Sequence, residues 1–475
     1  MTEIRPIFSS AGSDAGQDRE SRRPRIAIDA TGLLAWHGAL TGIQRVEDFM
    51  VRSALADPDP DVEVVAFDPS SNRFRPLEHF ELARFGLDEV APFRRTPRRA
   101  PLAALRHALA TVRRYPLAKR DADRQLARTI TDGREGAAGA MLALLLRGYR
   151  LWRRAGLLTG LARADPEERD MEGEPSMVLI SNHVMVGERL AELSGEARDL
   201  AFLCHDMIPA MRPDLVGKGK MQAVFAINLE MLARRGAAAF CTSAASARML
   251  EQHMEEAGIG LPAVHRFPMP SLLHATAERL GMTSRIEGGE PFVLYCSTVE
   301  IRKNHILLAR VWQQALDEGV ALPKLVCVGR WGWLMEELEA YLEARPRLAE
   351  RIVFPGPVSD EELISCYRGA SFGVFPSHIE GWGYAASECL DFGVPVIVST
   401  TPSLIEATGG LMPAIEPTDQ AGWYAAIRRM AEDNGWRRAL TDRIAEKHRP
   451  TSPGESWAAI RAGLREAAVA SVRRG

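Results

Sequence analysis

Two glutamates eight residues apart, Glu380 and Glu388, bracket the glycine segment Gly381-Trp382-Gly383. A glycine loop that feeds a helix offers free amide N–H groups and the positive end of the helix dipole, a setting suited to phosphate or another anion. A carboxylate beside such a site repels phosphate, so its natural partners are hydroxyls. A sugar nucleotide carries hydroxyls on both sides of its pyrophosphate. Arg302-Lys303-Asn304 stands just before a helix expected from His305, where point charges and amides together suit a pyrophosphate. His205-Asp206 closes an apolar run, and Thr41-Gly42-Ile43 follows another. Each has an ordinary alternative: a solvated charge, a structural histidine, a plain turn.

The elements that must position these residues alternate. Strands are expected at 25–29, 62–67, 177–180, 199–204 and 238–241, then at 292–297, 324–329, 351–354 and 372–376, from Pro395, and at 411–415. Between them lie helical patterns: from Ile43, at 244–253 behind Ser243 as N-cap, from His305, from Ser359, at 384–392, from Thr418 to Met430, and at 455–472. Gly393 stands where a C-cap glycine belongs. Such alternation implies an α/β fold of two doubly wound parallel sheets with a cleft between them. Ligands in open sheets of this kind bind beyond the carboxyl ends of the strands, which is where His205 and Glu380 fall.

The stretch FPSHIEGWGYAASECLDFGVPVIVS resembles the E-x7-E signature of retaining GT-B glycosyltransferases. Spacing, glycine loop, preceding apolar strand and the following G-V-P-V-I coincide. Trp382 stands where the family often has Phe, and Ala385 replaces the usual Pro. The resemblance implies that Glu380 contacts the donor sugar and Glu388 the ribose. It also implies that Arg302 and Lys303 neutralise the diphosphate leaving group, that His205 of the H-D-x-I-P motif reaches the donor sugar, and that the loop at Val358 cradles the base. Gly42 would face the pyrophosphate across the cleft. Many relatives carry an arginine at the strand end where this chain has Ser297-Thr298, so Thr298 and Arg330 join the expected nucleotide-binding set. No D-x-D constellation stands out, and neither a metal nor another cofactor is expected.

Length and composition fit this reading. A chain of 475 residues with 46% apolar and 25% charged content holds two globular domains. The expected division is a disordered tail at 1–24, a Rossmann-like acceptor domain at 25–275, a nucleotide-sugar domain at 290–450, and a helix at 451–475 returning to the first domain. The segments 264–272 and 287–290 read as the connection. Six cysteines without C-x-x-C spacing suggest reduced thiols. The opening stretch is polar rather than a secretory signal, and the longest apolar run, 137–146, is too short to span a bilayer, so a cytoplasmic location is expected.

Charge is concentrated at 94–163, with seventeen Arg and Lys against four acids, in a chain whose total is −3. Leucines, Tyr149 and Trp152 alternate with arginines there, the pattern of a basic amphipathic helix on an anionic membrane surface. A helical insertion packed on the first domain with solvated arginines is the alternative. No nucleic-acid motif accompanies the charge.

The expected activity is transfer of a hexose, with retention, from a sugar nucleotide (mannose from GDP-mannose foremost) to a carbohydrate or lipid-linked acceptor in cell-surface glycan synthesis. Three other readings stay open: a sugar-nucleotide 2-epimerase of the same architecture, a catalytically silent binding scaffold, and a membrane-associated structural protein, which would explain the basic segment only.

Overall fold

Short runs of consecutive apolar residues form strands buried on both faces, as parallel sheets covered by helices require. The structure, a computed structural model, describes residues 24–36, 40–68, 73–77, 81–82, 85, 147–149, 176–181, 200–217, 220–261, 263–286 and 288–472. Two sheets result. The first holds β1 (Ile26–Asp29), β2 (Val62–Asp68), β3 (Arg73–Pro76), β4 (Met177–Ile180), β5 (Leu200–Cys204), β6 (Ala238–Cys241) and β7 (Val264–Arg266), in the order β3-β2-β1-β4-β5-β6-β7. The second holds β8 (Phe292–Cys296), β9 (Lys324–Val328), β10 (Ile352–Gly356), β11 (Phe372–Phe375), β12 (Val396–Ser399) and β13 (Ala414–Ile415), in the order β10-β9-β8-β11-β12-β13. Every pairing is parallel except β2 with β3. The strand order reverses between β1 and β4 in one sheet and between β8 and β11 in the other, which places a crevice at each switch point.

Helices cover both faces. Ile26, Ile28 and Phe49 of the first domain pack with Trp457, Ile460 and Leu464 from the helix Pro453–Val472, which follows the whole second domain in sequence. On the opposite face Phe202, Cys204, Leu229 and Leu250 share a core. The second domain is centred on Trp312, Trp423, Tyr295 and Tyr367, all within 1% of complete burial. Full burial of one such apolar side chain stabilises the fold by about 1.5–3 kcal/mol. All six cysteines are free.

Several expectations need correction. Residues 264–266, read as part of the connection, pair with β6 as an edge strand, because Val264 offers the sheet one more apolar residue. The helix Leu272–Arg279 buries Leu273 and Ala277 in the second core, so the chain crosses near 267–271 and the first domain ends before 275. The strand expected at 411–415 is reduced to Ala414–Ile415, since Leu411 still bonds back to Thr408 in a turn and Pro413 has no N–H. Asp419, not Thr418, caps the helix Gln420–Glu432, accepting from Gly422 N. Ser243 and the Ser359–Glu362 capping box are as expected. The tail and almost all of the basic segment 94–163 lie outside the described residues, so its membrane reading rests on sequence alone. Among the described residues no helix is long and apolar enough to cross a membrane.

Candidate active site

Five charged residues from both domains meet at the strand ends. β11 ends at Phe375, and the turn that follows delivers Glu380 as a buried carboxylate. The 3-10 turn Ile301–Lys303 after β8 aims two consecutive cations at it. Arg302 Nη1 donates to Glu380 Oε2 at 2.7 Å, and Lys303 Nζ donates to the other oxygen. Arg302 Nε also lies 2.6 Å from Glu300 Oε1. Asn304, left-handed at φ 59°, lets the chain turn from this pair directly into the helix His305–Asp317.

The electrostatics follow from this packing. Burial alone would raise the Glu380 pKa, but Arg302 and Lys303 outweigh it and hold the carboxyl at about 2. Burial and the neighbouring Arg302 lower the Lys303 pKa, against the pull of Glu380 and Glu300. Asp206, from the first domain, faces Arg302, Lys303 and Glu380, and burial raises its pKa. Its Oδ1 accepts from Ile208 N at 2.9 Å, which fixes the turn after β5.

The first domain is bonded to this cluster. Ser243 Oγ donates to the Gly381 carbonyl at 2.6 Å, and Ser246 Oγ approaches the same oxygen at 2.9 Å. Thr242 Oγ1 donates to the His205 carbonyl at 2.9 Å. A Cβ on Gly381 would sit 2.2 Å from that carbonyl oxygen, so position 381 is glycine because two domains touch there. Sequence reasoning assigned the glycine to an anion cradle and missed this. Gly383, at φ +105°, opens the helix Tyr384–Asp391, and a Cβ there would strike Leu404.

The other expected residues lie along the same edge. Thr298 follows β8, Arg330 follows β9, and Val358 follows β10, half-buried against the second core. The Arg330 charge acts on Glu300. Gly42 opens the helix Gly42–Leu55 and faces Tyr384, whose Cδ2 would lie 3.7 Å from a Cβ at 42. Trp382 packs on the first domain's core. Glu388 stands apart from Glu380: it is buried within its helix, accepts from Tyr367 Oη at 2.6 Å, and its pKa is raised by burial against the opposing pull of Tyr367 and Arg45. Arg45 itself crosses the cleft to pair with Asp360 at 2.5 Å.

Sequence reasoning also missed Asp29. It ends β1 at the first switch point, wholly buried, with Oδ1 bonded to the Thr31 amide at 2.9 Å and Oδ2 without a partner. Burial pushes its pKa to about 6, against the Thr31 hydrogen bonds. A charged residue ending an otherwise apolar strand was the available signal.

Two facing Rossmann-like sheets with a charged cleft between their strand ends define the GT-B architecture. The Anabaena protein Alr3699/HepE, solved in complex with UDP and glucose, superposes on 93% of this chain and 100% of its own, with a TM-score of 0.53 and 13% identity. Residues 290–433, which include Arg302, Lys303, Glu380 and Glu388, match the family described as glycosyl transferases group 1, so this chain carries a domain of that family. O-antigen chain mannosyltransferase B of Escherichia coli is 33% identical over 152 residues, 32% of this chain and 40% of that protein. Serotype-specific mannosyltransferase WbdA of Escherichia coli is 27% identical over 212 residues, 42% of this chain and 26% of that protein. The chain thus spans less than half the length of these two relatives.

Proposed function

We propose that the protein is a retaining hexosyltransferase that moves a sugar, mannose from GDP-mannose foremost, from a nucleoside diphosphate donor to a carbohydrate or lipid-linked acceptor in cell-surface glycan synthesis. The observation that carries this reading is the shared grip of Arg302 and Lys303 on Glu380 at the strand ends of the group 1 domain. Two cations held by one carboxylate, Lys303 buried and Arg302 half-buried, can exchange that partner for a diphosphate. Glu380 is then free to accept from hydroxyls of the donor hexose. The names of the two mannosyltransferase relatives favour mannose.

In this reading catalysis rests on the leaving group. Breaking the anomeric bond places growing negative charge on the diphosphate, and Arg302 and Lys303 meet it in a site from which water is largely excluded. The acceptor attacks from the face the diphosphate leaves, so no protein nucleophile is assigned. His205 lines the donor sugar from the first domain, and Glu388 with the loop at Val358 holds the nucleoside.

Incubation with labelled GDP-, UDP-, ADP- and dTDP-hexoses and a lipid extract tests this. Transfer to acceptor with the anomeric configuration kept supports it, whereas interconversion of the donor sugar alone would establish the epimerase. Thermal shift ranks the nucleotides, since a ligand at 100 times its Kd stabilises by about 2.7 kcal/mol.

The basic segment 94–163 belongs to the same proposal as a dock for an anionic membrane surface carrying the acceptor. Sedimentation with vesicles should rise with anionic lipid and fall with salt. Binding that ignores lipid charge would return these arginines to solvated helix faces.

A further inference from the structure

The helix Ala244–Glu256 of the first domain begins at the contact with the second. Its first-turn amides are satisfied from two sources. Ser243 Oγ takes the Ser246 N–H at 2.8 Å, as an N-cap should. The remaining two are taken from across the cleft: Glu406 Oε1 accepts from Ala244 N at 2.7 Å and Oε2 from Ala245 N at 3.1 Å. A bidentate carboxylate at a helix N-terminus combines charge-assisted hydrogen bonds with the helix dipole. Here it binds one domain to the other.

Glu406 lies on the short helix Pro402–Ala407, and that helix also supports the catalytic loop. Ser403 Oγ donates to the Glu380 carbonyl at 2.8 Å. Leu404 fills the space a side chain at Gly383 would need. Three residues within four positions therefore reach the Glu380 backbone, the glycine that turns the loop, and the opposite domain. The two serines on Gly381 close the loop from the other side. Separating the domains would break both Glu406 hydrogen bonds and both serine bonds to the Gly381 carbonyl at once. The loop between Glu380 and Gly383 would then be held from one side only.

We propose that Glu406 is a positioning residue, which couples the approach of the two domains to the placement of Glu380 through the helix Pro402–Ala407. It touches neither donor nor acceptor. It sets the distance between His205-Asp206 and the Arg302–Lys303–Glu380 cluster, and the inference rests on the glycosyltransferase reading of that cluster.

The test compares the full-length protein with Glu406→Ala and Glu406→Gln. Hydrogen exchange at the Ala244 and Ala245 amides should speed up about tenfold or more in Glu406→Ala and less in Glu406→Gln, which keeps one acceptor. Turnover in transfer should fall about tenfold in Glu406→Ala, with donor KM nearly unchanged and partial recovery in Glu406→Gln. The melting temperature should barely move, because each domain keeps its core. Unchanged exchange at the two amides overturns the proposal. So does unchanged turnover, or a loss of turnover matched by a fall in melting temperature. Should the wild-type protein transfer no sugar from any nucleotide, the proposed function fails, and the exchange measurement alone then decides whether Glu406 holds the domains together.

Discussion

Arg302 and Lys303, neighbours in sequence, hold opposite oxygens of the single Glu380 carboxylate, Arg302 at 2.7 Å. Both side chains leave the 3-10 turn Ile301–Lys303 after β8, and Glu300 pairs with the same guanidinium at 2.6 Å. The carboxylate thereby holds both cations together at the strand ends before any ligand arrives.

Replacing either glutamate should separate their roles. Glu380→Ala should lower turnover about a hundredfold or more, through lost contacts to the donor sugar and two stranded cations. It should also cost stability, about 3–5 kcal/mol, as breaking a buried pair does. Glu388→Gln keeps an acceptor for Tyr367 Oη and should fold normally while weakening nucleotide binding. Near-wild-type kinetics in both variants would sink the assignment.

Lys303→Ala should reduce turnover about a hundredfold while changing donor KM far less, because charge on the diphosphate grows in the transition state. Steady-state kinetics at saturating acceptor check this. A loss confined to KM would mean that Lys303 binds donor and transition state alike.

Much of this was legible beforehand. His205, Thr298, Arg302, Lys303, Arg330, Val358 and Glu380 follow the carboxyl ends of strands, because strand ends announce themselves through short apolar runs broken by polar turns, whereas Glu388 lies within a helix. Ser359 and Ser243 were readable as caps for the same local reason. Contacts across the cleft were not readable. Nothing near Glu406 or Gly381 in sequence signals that Ala244 and Ser243 lie against them, 162 and 138 positions away. The grip of Arg302 and Lys303 on Glu380 spans 78 and 77 positions and escaped notice for that reason.

Gly381→Ala places a methyl group 2.2 Å from the His205 carbonyl oxygen, and backbone on both sides cannot yield cheaply. Overpacking of this kind costs about 1–3 kcal/mol. We expect a lower melting temperature together with a fall in turnover. A fully active, equally stable variant would show that the two domains need not touch at this point.

Asp29 gives a pH signature. Its folded pKa is raised from 3.8 to about 6, so the folded protein holds this proton where the unfolded chain has released it. The sign is that stability falls as pH rises between about 4 and 6, by about 3 kcal/mol from this group. Asp29→Asn should flatten that part of the stability curve in denaturant titrations at pH 4 and 7. An identical slope in the variant would place the shift elsewhere.

The helix Pro453–Val472 completes the core begun by Ile26 and Phe49, so the first domain is discontinuous along the chain. A ribosome making this protein would release the second domain whole before the first could close over Ile28, leaving an apolar face waiting through some two hundred residues of synthesis, at roughly 5–20 residues per second. The outgoing and returning segments are also stitched together, Ser271 N to Thr451 O at 2.9 Å and Thr451 N to Ser271 Oγ at 3.1 Å. Two linked crossings resist twisting better than one. They favour a door that swings on a fixed axis over a tethered pair that tumbles freely.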